Sequence, residues 1–392
     1  MRQEDRDNSD YKLKRTIADG TDAMASTITA SPRMPGWGEP MPPLTAPRLG
    51  GVRDMENGSR VTLILFFGTG AHPATAAALQ LATAQTSLFD DVGACFYGVT
   101  IDSSDEAQAR ITARSRGIRF ILDYDRAISL GFDVLKRDGM LTPCWVLLDR
   151  TRRVLAIFPV EEGEAAIAAT RAEAAQPGGP DWAPVAMVPN IFEPAFCRTL
   201  IEHHIASDHR PSGVMRQVDG KARLVLDNAT KVRRDVDLER SPLTDQILAR
   251  LVQRLAPMIR RVFQYDMLHI ERLCLACYDA AEGGHFLAHR DDATRATAHR
   301  QFAITVNLNA EEYDGGDLIF PEFGTRQYRV PTGGAIVFSC ALMHAVVPVT
   351  RGRRYALLPF LYDAAGDRLR EENERFVDRN PLDLNQPVVA TA

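Results

Sequence analysis

The apolar residues of this chain keep two different rhythms, and the change between them constrains the fold more than any other feature. Across residues 61–158, apolar runs of strand length alternate with stretches of helical period. Strands are expected at residues 61–67, 94–101, 120–122, 145–148 and 154–158, with helices at 74–85, 104–116 and 126–130. That alternation predicts an α/β layered domain with a largely parallel sheet. Across residues 270–362 the pattern becomes short strands separated by Gly, Pro and Asp turns, which predicts a jelly-roll barrel. Between the two, a helix at 194–204 and a long amphipathic helix at 241–262 would buttress one sheet, the latter through Leu243, Ile247, Leu251, Leu255 and Ile259.

A chain of 392 residues is long enough for two cores. The expected layout is a flexible tail at 1–40, an α/β domain at 41–173, a linker at 174–184, the barrel domain at 185–365 and a C-terminal tail at 366–392. The first 40 residues are polar and without apolar period, so they bury too little surface to offset their ordering entropy. No apolar run reaches the length of about 18 residues that a membrane span requires. With 46 basic and 51 acidic residues the net charge is -5, and no basic stripe interleaves with aromatics, so neither nucleic acid nor membrane is an expected partner. The charged start lacks the apolar core of a secretion signal, giving a cytoplasmic expectation. The six cysteines are expected to be reduced. Cys274 and Cys277 formally spell a CxxC, but three residues apart on a strand they face opposite sides.

Three distant positions carry the chemistry. His289 and Asp291 are two apart at the end of a strand, so their side chains share a face, and His344 can return beside them on a later antiparallel strand. Two imidazoles and one carboxylate on one side of a metal leave positions open, the ligand set of non-haem Fe(II) oxygenases. Arg354 opens an apolar run, where an unpaired guanidinium is costly to bury, and a carboxylate ligand would remove that cost through a bidentate pair. Arg351 and Arg353 are rivals, although Arg353 should face the other side of the strand.

Two resemblances follow from longer motifs. Leu63 to Thr75, Gly98-Val99-Thr100-Ile101-Asp102, Leu122-Asp123-Tyr124-Asp125 and the run from Thr142 to Arg150 resemble a peroxiredoxin-type thioredoxin fold. In that family the loop after the first buried strand holds a peroxide-reducing cysteine. The corresponding stretch, His72 to Ala78, has none, so the peroxidase nucleophile is missing, and Cys95 and Cys144 read as small buried hydrophobes. The domain then reads as a scaffold for docking, substrate presentation or homo-oligomer assembly, with His72 a plain loop residue.

Residues 183–363 resemble the 2-oxoglutarate/Fe(II)-dependent dioxygenases of the prolyl 4-hydroxylase type. The motifs are His285 to Asp291, Val306-Asn307-Leu308-Asn309, Tyr313 to Leu318, Pro331 to Phe338 and His344 to Arg354. The resemblance implies a double-stranded β-helix, with His289, Asp291 and His344 binding Fe(II) and Arg354 holding the distal carboxylate of 2-oxoglutarate. Tyr278 would donate a hydrogen bond to that cosubstrate, and Asn307 stands where relatives place another contact. His285 is not expected to be a ligand, and His299 is expected at the surface. The implied reaction couples decarboxylation of 2-oxoglutarate, with O2, to hydroxylation of an unactivated C–H bond, releasing succinate and CO2, with ascorbate as a reductant. A peptide, protein or small molecule is the expected substrate, peptidyl proline being the family's namesake. The alternatives are a docking or sensing protein with slow oxygenase activity and an atypical thiol peroxidase.

Overall fold

The computed structural model describes residues 10–12, 33–42, 44, 47, 49, 60–112, 116–176, 182–218 and 221–383. Most of the expected N-terminal tail, the centre of the linker and residues 384–392 lie outside them. The described residues form two compact units, one holding 60–176 and the other most of 183–383.

In the first unit Val61–Gly68 is buried along its whole length at the centre of a five-stranded sheet. It pairs in parallel with Ala94–Thr100, which pairs in parallel with Ile118–Leu122. On its other side lie Cys144–Leu148 and Val154–Pro159, both antiparallel to their neighbours. Strand alternation puts Leu63, Leu65 and Phe67 against helices Pro73–Ala84 and Gly163–Ala174, while Ile64 and Phe66 pack with Ile128 and Phe132 on the opposite face. This is the thioredoxin-like layering that the sequence suggested, but only two of the four strand pairs are parallel where a largely parallel sheet is expected. The second helix is shorter than expected. It covers only Ser104–Ala107, and Ala109 then adopts φ 53°. Asp105 is fully buried and accepts from Gly70 N, Thr100 Oγ1 and Arg110 Nη1, which folds the chain back instead of extending the helix.

The second unit is built on a large, mainly antiparallel sheet. Its order includes His269–Glu271, Phe360–Tyr362, Phe302–Asn307, Arg353–Leu357, Cys274–Asp279 and Arg234–Asp237. A smaller sheet runs Lys231–Val232, His285–His289, His344–Val346, Leu318–Ile319 and Gln327–Tyr328. Together they make the double-stranded β-helix. The large sheet turns Leu275, Cys277, Ile304, Val306, Tyr355 and Leu357 toward Ile247, Leu251, Leu255 and Ile259 of the buttressing helices. Each such fully buried aliphatic side chain contributes about 1.5–3 kcal/mol. By the period of two, Tyr278, Thr305 and Arg354 face the other way.

The expected continuous helix at 241–262 is broken into Pro242–Arg250, a π-helical turn Leu251–Leu255 and Ala256–Phe263. Pro257 supplies the cause: it has no N–H and its ring crowds the preceding turn, so the backbone widens and Ala256 N bonds to Leu251 O. Ser241 and Thr244 close the start of the first segment as a capping box. Residues 366–383, read from sequence as part of a tail, carry most of helix Ala364–Asn373 and the strand Val377–Asp383, which pairs with Lys221–Leu226. His299 is not at the surface: it is 2% exposed, bonded to Glu271 at 2.9 Å and edge-on to Tyr362.

Candidate metal centre and cosubstrate pocket

Antiparallel pairing in the small sheet sets His289, at the end of its strand, opposite His344, at the start of the next. The ring centroids are 4.2 Å apart. Asp291 follows two residues after His289, and its backbone N–H donates to Cys340 O. Its Oδ1 is 3.5 Å from His289 Nε2 and its Oδ2 3.3 Å from His344 Nε2. A donor atom from each of the three residues lies within 4.8 Å of the others, and among the described residues this is the one such group of three His, Cys, Asp or Glu side chains.

The remaining ring nitrogens define the tautomers. His289 Nδ1 is 2.8 Å from Leu287 O and His344 Nδ1 is 3.0 Å from Leu342 O. A carbonyl only accepts, so each Nδ1 carries a proton, which leaves Nε2, on the Asp291 side, as the atom of each ring that can offer a lone pair to a metal. Burial, and then neighbouring His289, push His344 down to about 4, which keeps it neutral. Burial alone would raise the Asp291 carboxyl, but His344 and His289 outweigh it and hold the group below the usual carboxylate range. Two neutral imidazoles and an ionised carboxylate are the donor set a divalent first-row metal takes. Phe286 stacks on His289, with centroids 3.5 Å apart, and Phe338 packs against His344.

The three residues share a cavity of about 500 Å³, open mouth included, with Tyr278, Thr305, Arg233, Arg272 and Arg354. Tyr278 and Arg354 are register partners on the large sheet, and the Arg354 guanidinium lies 5.2 Å from the Tyr278 ring centroid. Arg354 is 3% exposed; its Nη2 donates to Thr305 Oγ1 at 3.1 Å, while Nε and Nη1 have no partner among the described residues. A buried guanidinium with donors to spare calls for an anion, and a carboxylate supplies one. Arg353, on the opposite face, pairs with Asp279, and Arg351 pairs with Asp314, both well exposed.

Asn307 does not join the cavity: its Nδ2 donates to Val330 O at 3.0 Å and its backbone is tied to Gly333 and Gly334. His285 bonds to Gly283 O and lies outside the metal group. Sequence reasoning gave no role to Phe286, Arg233 or Arg272. It does group Thr305 with Ala303 and Asn307 on a polar, site-facing side of their strand, and of these Ala303 and Thr305 line the cavity.

The thiols are unsuited to peroxide chemistry. In the first unit Cys95 is fully buried, and burial pushes Cys144 up to about 12. Thr75 lies in the first turn of helix Pro73–Ala84, and its hydroxyl donates to His72 O at 3.0 Å.

The profile of the 2OG-Fe(II) oxygenase superfamily matches residues 273–362, which hold the metal group and Arg354. A PKHD-type hydroxylase of Stutzerimonas stutzeri is 30% identical over 180 residues, 43% of this chain and 74% of the relative. The chain therefore belongs to this oxygenase family, whose members use Fe(II), 2-oxoglutarate and O2. A PKHD-type hydroxylase of Synechococcus is 31% identical over 157 residues, 38% of this chain and 66% of the relative, so the chain spans about two thirds of that relative's length. Peroxiredoxin Q of Xanthomonas campestris is similar at 22% identity and a TM-score of 0.29, over 33% of this chain and 91% of the other. No helix among the described residues is long and apolar enough to cross a membrane.

Proposed function

We propose that this protein is an Fe(II)- and 2-oxoglutarate-dependent dioxygenase that hydroxylates an unactivated C–H bond of a peptidyl proline or related amino-acid or peptide substrate. The observation that carries the proposal is the meeting of two imidazole Nε2 atoms and a carboxylate in one cavity with a buried guanidinium that has donors to spare. His289, Asp291 and His344 would hold the iron. When bound, Fe(II) supplies the redox chemistry that couples decarboxylation of 2-oxoglutarate with O2 to oxygen insertion, and ascorbate serves as a reductant that keeps it ferrous.

The chain's own contribution is positioning. The Arg354 guanidinium, which Thr305 holds through Nη2, answers the distal carboxylate of 2-oxoglutarate with its charge and its spare donors. Tyr278 donates its hydroxyl proton to the same cosubstrate. Leu318, Val346, Phe338 and Phe360 line the cavity and keep bulk water from it. The first unit, without a reactive thiol, serves docking or assembly.

The test is conversion of 2-oxoglutarate to succinate by the full chain with Fe(II). Turnover should vanish in His289→Ala and persist in a Cys95→Ser/Cys144→Ser double variant. Proline-containing peptides incubated with the enzyme should yield a product one oxygen atom heavier by mass spectrometry. Turnover that survives His289→Ala but is lost with the two cysteines would reverse the assignment.

A further inference from the structure

Beside the metal centre, residues 231–235 and Arg272 build a cationic cluster that the reaction above leaves unused. Arg233 is 8% exposed and makes a bidentate pair with Asp235, Nε and Nη2 each donating at 2.6 Å. Nη2 also donates to Ser212 Oγ, while Nη1 reaches the Tyr278 hydroxyl at 3.3 Å, and the side chain lines the cavity. Arg272 shares Asp235 and touches the exposed Asp237. Lys231, 5% exposed, has its ammonium 4.7 Å from the centroid of Phe286, the ring that stacks on His289. Among the described residues its ammonium has one hydrogen-bond partner, Gly213 O at 2.8 Å.

The charges do not balance. Arg233 and Arg272 take up Asp235 and Asp237, so the Lys231 ammonium, when charged, has no carboxylate partner among the described residues. Arg354 and Asp291 do not alter the sum, since cosubstrate and metal answer them. An ammonium taken out of water without a counter-charge is unfavourable. Burial, followed by the charge of Arg233, accordingly pushes the Lys231 amine well below its usual range. Lys231 lies on the strand Lys231–Val232 of the small sheet and Arg233 just before the strand Arg234–Asp237 of the large one; both side chains are buried, and that of Arg233 lines the cavity.

We propose that Lys231 and Arg233 form a second anion subsite that receives a carboxylate of the substrate, so that the molecule hydroxylated is an acid. The carboxylate comes from an acidic side chain or from a free chain terminus. The inference rests on the oxygenase reading of the site and adds the substrate's charge to it. Arg354 needs no help from this cluster, because its own spare donors suffice for the cosubstrate.

The test uses the full chain loaded with Mn(II), which prevents turnover, and saturated with 2-oxoglutarate. Binding of radiolabelled N-acetylproline (a terminal carboxylate) and N-acetylaspartic acid α-amide (a side-chain carboxylate) is measured by equilibrium dialysis, with N-acetylprolinamide and N-acetylasparagine amide as neutral controls. At least one acid should bind saturably and more tightly than its control. Lys231→Met should weaken it about thirtyfold or more, the effect of removing one partner of a buried charge pair. Lys231→Arg should retain it, and 2-oxoglutarate affinity should be the same in all three proteins. Equal binding of acid and control, no saturable binding of either acid, or an unchanged affinity in Lys231→Met would overturn the subsite. Loss of 2-oxoglutarate rather than acid binding in Lys231→Met would also overturn it, by placing the cluster in the cosubstrate site. Failure of the wild-type chain to bind 2-oxoglutarate with Mn(II) would reject the oxygenase reading itself.

Discussion

His289 and His344 face each other across an antiparallel strand pair, and each anchors its Nδ1 proton on the carbonyl two residues before it. The same local device thus turns both Nε2 atoms toward Asp291, one from the end of a strand and one from the beginning of the next. A metal that binds only this folded arrangement must stabilise it.

At a Mn(II) concentration about a hundred times its dissociation constant, that stabilisation is about 2.7 kcal/mol. For a unit of this size the melting temperature should rise by about 5–10 °C. Differential scanning calorimetry with and without Mn(II) checks the value. His344→Ala and Asp291→Ala should each abolish the rise, and an undiminished rise in either would remove that residue from the ligand set.

Arg354 gives a separable effect. Replacing it with Gln leaves the metal ligands in place but removes the charge that answers the distal carboxylate. Breaking such a buried pair costs about 3–5 kcal/mol, equivalent to about two to three and a half powers of ten in affinity. The KM for 2-oxoglutarate should rise accordingly while Mn(II) binding holds. Tyr278→Phe removes one hydrogen bond, so its KM should rise only about threefold to tenfold. Steady-state kinetics at varied 2-oxoglutarate separates the two.

Acid should unfold the second unit through Glu271. Burial opposes ionisation of this carboxyl, but Arg300, at 2.7 Å, and His299 outweigh it and hold the group below its ordinary value of 4.5. A carboxyl depressed in the folded state stabilises it fully above the unfolded value and loses that contribution as pH falls through the folded one. The urea midpoint should therefore decline as pH drops below about 5. Glu271→Gln should lower stability at pH 7 by about 3 kcal/mol, read as a lower urea midpoint, and flatten the decline. A parallel decline in wild type and variant would place the acid sensitivity elsewhere.

The residues on regular strands were the legible ones. The spacing of His289 and Asp291 gave their common face, and the apolar run after Arg354 exposed the anomaly of its charge. Lys231, Arg233 and Asp235 were illegible for the opposite reason. In a segment as charged as residues 231–237, a charge does not stand out, and solvent exposure is the natural reading. Burial of these groups is decided by long-range partners, Ser212 and Arg272, that no local pattern reveals. His299 is a similar case, since its partner Glu271 lies 28 positions away. The break in the long helix was available locally in Pro257, which an apolar stripe of helical period hides.

Gly315 and Gly316 link turn geometry to cosubstrate binding, and alanine at each should act differently. Gly315 has φ +69° and pairs with Val349, whose strand Val349–Arg351 precedes Arg354; a Cβ there would lie 2.2 Å from Pro348 O, a backbone atom that cannot swing away. Gly315→Ala should thus lower stability by more than about 1 kcal/mol, the usual scale for alanine forced into this region. Gly316 has φ +67°, and its Cβ would meet Val349 Cγ2 at 2.9 Å and Arg354 Cδ at 3.3 Å, both on side chains. Gly316→Ala carries the same backbone strain but also presses on the stem of the guanidinium, so it should raise the KM for 2-oxoglutarate more than it lowers kcat. Urea melts and kinetics on both variants resolve the difference. A Gly316→Ala enzyme with unchanged KM would show that the Arg354 stem absorbs the contact without moving its head group.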